Sequence, residues 1–79
     1  MTVKKIIADA LGVKIEDLTI RSDLVEDLGA DSLDLVEITM KLEDEYNINI
    51  GDDEMENKKT ISDIIELLDN KNVDSKLLI

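Results

Sequence analysis

Asp31-Ser32-Leu33-Asp34-Leu35-Val36-Glu37-Ile38-Thr39-Met40-Lys41-Leu42-Glu43-Asp44-Glu45-Tyr46 is the stretch whose reading decides the fold. Asp31 can act as an N-cap, and Asp34 then falls at the third helical position. Carboxylates at both places favour the exposed amides and positive dipole end of a helix start. Stepping roughly 100° per residue gathers Leu35, Ile38, Thr39, Leu42 and Tyr46 around one direction, the core stripe of a helix that runs to about Tyr46. Leu33, Met40, Glu37 and Asp44 group on another side of the same wheel. Apolar side chains mixed with carboxylates suit a docking surface. They suit equally well a helix whose Leu33 and Met40 pack on a neighbouring loop or short helix while the acids solvate the outside.

Upstream, Val3, Ile6, Ile7, Ala10 and Leu11 follow helical spacing, and Gly12 stands where a C-terminal cap belongs, so a first helix is predicted over about residues 2–12. Between Gly12 and Asp31 the period is lost. Ile15, Leu18, Leu24, Val25 and Leu28 recur often enough to pin this long loop to a core, and long loops in small domains are often functional. Downstream, Asn47 to Asn49 end the second helix, Gly51 reads as a flexible joint, and Asp52 to Asn57 form one short acidic turn. Thr60 with Asp63 makes a capping-box start for a helix over about 61–70, with Ile61, Ile64, Ile65 and Leu68 on its stripe. The tail beyond it is expected to fray. The fold predicted is all-α: a small bundle of three main helices plus one short helix, with a long loop between helices one and two, in a single domain over 1–79.

Composition removes several classes of function. The chain has no cysteine and no histidine, so it has no disulfide, no thiolate metal site and no imidazole base of its own. Nine basic residues against twenty acidic ones leave a net charge of −11, which disfavours nucleic acid and anionic lipid and favours cationic partner surfaces. Apolar runs are at most three residues long, as in Leu77-Leu78-Ile79, so membrane insertion is not expected and a cytoplasmic location is. Hydrophobic residues make up 43% of the chain, too many for a disordered acidic tail, yet Tyr46 is its one aromatic, so the core must be aliphatic.

Ser32 is the candidate for chemistry. A serine in the first turn of a helix is most often only part of the cap. A phosphate ester at that place would nevertheless face free amides and the positive end of the dipole. Asp31 and Asp34 oppose it through like charge, so modification would need a divalent ion or a basic partner enzyme.

The run Val25-Glu26-Asp27-Leu28-Gly29-Ala30-Asp31-Ser32-Leu33-Asp34, followed by Val36-Glu37, resembles the attachment-site motif of acyl carrier proteins of the type II fatty acid synthase. Val3-Lys4-Lys5-Ile6-Ile7 with Leu11-Gly12-Val13 resembles the family's first helix, and Met40 with Leu42-Glu43 and Glu45 its second. The likeness covers about residues 3–70. It implies that Ser32, flanked by Asp31 and Leu33, receives 4'-phosphopantetheine from coenzyme A through a magnesium-dependent holo-acyl-carrier-protein synthase, and that the arm's thiol then carries acyl chains as thioesters. It further implies an acidic recognition face of Asp34, Glu37, Glu43, Asp44 and Glu56, joined by apolar contacts from Leu33 and Met40, for fatty acid synthesis enzymes with basic docking patches. The wheel groups most of these residues by itself, but not Glu43. A monomeric carrier that is not an enzyme, with acyl chains admitted between its helices, is the expectation. Gly51, Thr39 and Lys58 depart from the family's common pattern, which leaves the depth and polarity of that pocket open.

Other readings fit less well. A Gly-Asp-Ser-Leu hydrolase signature is broken by Ala30, and no histidine is present to activate the serine. Asp52-Asp53-Glu54 does not extend into a twelve-residue calcium loop, so no specific metal site is expected. A carrier for polyketide, aminoacyl or D-alanyl groups is the nearest alternative.

Overall fold

In the computed structural model, which describes residues 2–78, the chain folds as an all-α bundle. The helices are α1 (Val3–Leu11), α2 (Ser32–Tyr46), α3 (Asp52–Glu56), α4 (Ile61–Asn70) and α5 (Ser75–Leu78), with a single 3-10 turn at Ile15–Asp17. The starts of the three long helices are fixed by side chains. The Thr2 hydroxyl accepts from Lys5 N at 3.3 Å to open α1. Asp31 and Asp34 cap each other's amides at the start of α2, and Thr60 and Asp63 do the same at α4. Left-handed residues close the first two: Gly12 at φ 69° and Asn47 at φ 54°.

α1 packs against both α2 and α4, and α5 against α4. Ile7, Ile38, Leu42, Ile64 and Leu68 are fully buried where these helices meet, in an aliphatic core. Each such side chain supplies about 2 to 3 kcal/mol of transfer free energy. Thr39 and Tyr46, placed on the core stripe by periodicity, lie only half-buried at its edge.

The long loop is stitched to the start of α4. Leu24 N donates to Lys59 O at 2.8 Å, Ser62 N to Ile20 O at 2.7 Å and Ile61 N to Ser22 O at 3.3 Å. Leu18 and Leu24 are buried and Leu28 packs against the core, as expected. Ile15 and Val25 depart from expectation, being 39% and 52% exposed. Asp23 Oδ1 accepts from both Val25 N and Glu26 N at 2.9 Å, which closes a turn that leads Val25 outward while Leu24 points in. Gly29, at φ 72°, completes this turn in a conformation that costs other residues strain.

Gly51 is extended, at φ −73° and ψ 153°, and its N–H donates to Glu54 Oε1 at 2.9 Å. One further expectation is corrected. The tail does not fray over its described residues. It forms α5, buries Leu78 completely, packs Val73 on the core, and accepts a hydrogen bond at Leu77 O from the Tyr46 hydroxyl at 3.0 Å. The bundle therefore holds a second short helix.

Candidate functional site

Ser32 is the first residue of the fifteen-residue α2 and is exposed. Asp31 Oδ1 accepts from Asp34 N at 2.9 Å, and Asp34 Oδ2 returns the contact from Asp31 N at 3.1 Å. Leu35 N is taken by Asp31 O at 3.0 Å. Among the described residues the amides of Ser32 and Leu33 donate to no protein group, so the helix tip offers two free N–H groups beside the serine hydroxyl. These are the donors a phosphodiester on Ser32 Oγ would use, and an exposed hydroxyl is what a modifying enzyme must reach. Leu33, next to it, is 77% exposed.

Down α2, the apolar side chains that periodicity set apart from the core are in fact bare. Met40 is 59% exposed, which decides against its packing on a neighbouring element as core. Val36, at 55% exposure, belongs with it and escaped the sequence reading. The signal was available, since Val36 falls about 40° from Met40 on the wheel.

These residues border a cleft of about 1040 Å³ between α2, α3 and the long loop. Leu35, Val36, Thr39, Met40 and Glu43 line it from α2, Val25 from the loop, and Ile50, Met55 and Lys58 from α3 and its flanks. α3 is held in place there by Lys71, whose ammonium lies 2.8 Å from Glu54 Oε2 and 3.1 Å from Oε1. The hydrogen bond from Lys71, and then that from Gly51 N–H, hold the Glu54 carboxyl below the usual range. On the far side of the bundle, burial first and Glu45 second push the Tyr46 phenol up.

The acidic residues expected on one face are distributed over several surroundings. Glu37 is exposed and sits 3.8 Å from Lys41. Asp34 is half-buried and spends one oxygen on the cap. Glu43 accepts from Ile50 N at 2.9 Å, tying the loop before α3 to α2, and with Glu56 it lines the large cleft. Asp44 instead borders a separate cleft of about 290 Å³ with Ile6, Asp9, Lys41 and Glu45, between α1 and α2. The geometry thus joins Met40, Glu43 and Glu56, and sets Asp44 apart from them.

The bundle thus presents the exposed Ser32 hydroxyl beside two unused amides at the start of α2, and a cleft lined by aliphatic and charged side chains along the same helix. The sequence model of the family described as "Phosphopantetheine attachment site" matches residues 2–68, and the chain belongs to that family. Its prosthetic group is covalently attached 4'-phosphopantetheine. Among the described residues no helix is long and apolar enough to cross a membrane, and no cluster of side chains is arranged to hold a metal ion.

Proposed function

We propose that this chain is a single-domain, monomeric and cytoplasmic acyl carrier protein of fatty acid synthesis, with Ser32 as its attachment residue and Asp31 and Leu33 as that residue's immediate setting. The observation that carries the reading is the exposed Ser32 hydroxyl at the tip of α2, flanked by two unused amides, within a chain matched by the family over residues 2–68. In the loading step Ser32 Oγ loses its proton and displaces 3',5'-ADP from the pyrophosphate of coenzyme A, and a phosphodiester replaces the P–O–P linkage. The arm supplies the thiol that this cysteine-free chain lacks, and acyl groups ride on it as thioesters. The chain's own residues do no bond-making beyond lending the hydroxyl, so the protein acts as substrate and carrier, not as an enzyme. The amides of Ser32 and Leu33 hold the phosphate against the helix tip. Asp31 and Asp34 make loading depend on a divalent cation or a cationic synthase to screen them.

Leu33, Asp34, Glu37, Met40, Glu43 and Glu56 form the recognition surface for the holo-synthase and for synthesis enzymes with basic patches, and Asp44, which borders the separate cleft between α1 and α2, extends it round the helix. The exposure of Leu33 and Met40 supports this for the apolar members, and the net charge of −11 supports a cationic partner. The cleft beside α2 shelters the acyl chain.

Intact-mass spectrometry tests the attachment. Incubation with coenzyme A, magnesium and a holo-synthase is expected to add one phosphopantetheinyl group, and Ser32→Ala to add none. An unchanged mass for the wild-type chain under conditions that load a control carrier would overturn the reading. Loading by purified fatty acid, polyketide or aminoacyl transferases then separates the proposed cargo from its alternatives.

A further inference from the structure

The cleft is not the plain hydrocarbon slot that a reduced fatty chain would want. Its α2 wall runs Leu35, Val36, Thr39, Met40 and Glu43, so a neutral hydroxyl stands between apolar side chains and a carboxylate that already accepts from Ile50 N. Thr39 Oγ1 donates its proton to Leu35 O at 2.8 Å, so the oxygen has only lone pairs to offer a guest. Lys58, half-buried, lines the same cleft; among the described residues its ammonium closes no salt bridge, although its charge reaches the Glu54 and Asp63 carboxylates. Its ammonium has only protons to offer. Thr39 offers an acceptor and Lys58 a donor, and a hydroxyl group is the smallest neutral group that can answer either. A fully reduced chain satisfies neither and must displace the water that does. An anionic cargo would meet the lysine but also the excess negative charge of a cleft lined by six carboxylates and two ammonium groups.

We propose that Thr39 and Lys58 make the cleft selective for acyl chains that bear a hydroxyl group over fully reduced chains of the same length. The inference rests on the carrier reading above and deepens it, naming the class of cargo that the chain shelters best. The two residues act as specificity determinants. They take no part in attachment, which occurs at Ser32 on the helix tip.

The test uses the phosphopantetheinylated protein loaded with octanoyl, 3-hydroxyoctanoyl or 8-hydroxyoctanoyl chains, which place the oxygen at either end. The half-life of each thioester in hydroxylamine is divided by that of the same chain on free pantetheine, which cancels intrinsic reactivity and leaves protection by the cleft. At least one hydroxylated chain is expected to be protected about threefold to tenfold better than octanoyl, the equivalent of one net hydrogen bond. Thr39→Val and Lys58→Leu should each abolish that ratio, while Thr39→Ser, which keeps the oxygen, should retain it. Equal or better protection of octanoyl by the wild-type protein overturns the proposal. So does a ratio that both variants leave intact, or a variant that changes all three chains alike, since the residue would then act on the arm or the cleft's shape. Failure of the carrier reading is seen earlier and separately, as absence of the mass increase at Ser32.

Discussion

Ser32 and Asp31 are neighbours with separable tasks. Asp31 exchanges cap hydrogen bonds with Asp34, whereas the Ser32 side chain makes no hydrogen bond among the described residues. Ser32→Ala should therefore leave the unfolding free energy unchanged within about 0.5 kcal/mol while abolishing loading. Asp31→Ala should destabilise by about 1 kcal/mol, the usual cost of a lost N-cap. Matched denaturation curves check both. A large loss of stability in Ser32→Ala would show that the hydroxyl serves the fold. The placement of Ser32 at a helix tip was legible because a cap is written within four consecutive residues. Glu43 was not legible in the same way. Its bond to Ile50 N depends on how the chain returns after α2, and helical periodicity carries no information on that return.

At the scale of elements, α1, α2 and α4 were readable because each combines a local cap with a stripe of buried residues. The segments that misled lack a period. Ile15 and Val25 are apolar residues in an irregular loop, where hydrophobicity suggests burial without giving a direction. The tail is too short to declare a helix, and its order comes from distant partners. Leu78 is buried on the bundle and Leu77 O is reached by a phenol thirty-one residues away. Leu78→Ala should accordingly cost about 2 to 4 kcal/mol in equilibrium unfolding, as for an interior leucine. A change below about 0.5 kcal/mol, the level of surface substitutions, would mean that the tail contributes nothing. The start of α4 carries a pH dependence. Hydrogen bonds from Lys59 N–H and then Thr60 N–H hold the Asp63 carboxyl below its ordinary value. A group whose folded pKa is depressed contributes stability that is complete above the unfolded value, about 4, and is lost as pH falls through the lower folded value. The stability difference between wild type and Asp63→Asn should thus be flat from about pH 5 to 8 and shrink below about pH 4. A difference that grows on acidification would contradict the sign of the shift.

Across the whole molecule, the same charge that suits a cationic partner works against compaction. Twenty acidic residues against nine basic ones are packed around a small aliphatic core. Lys5–Asp9, Lys41–Glu37 and Lys71–Glu54 pair locally, and the first two are exposed enough to contribute little. The unfolded chain relieves the remaining repulsion by expanding, so screening should favour the folded state. Divalent cations should do so more strongly than monovalent ones at equal ionic strength, because the negative potential of the surface concentrates a doubly charged counterion more steeply, with no defined site needed. Addition of magnesium at millimolar concentration in dilute buffer should raise the thermal midpoint by about 5 °C, which for a domain of this size corresponds to about 1 kcal/mol. Sodium chloride should approach that gain only as the Debye length falls to about 10 Å, near 0.1 M. A midpoint that stays level or drops with magnesium would show that charge repulsion does not limit this fold, and that the acidic surface costs the carrier nothing while it waits for a partner.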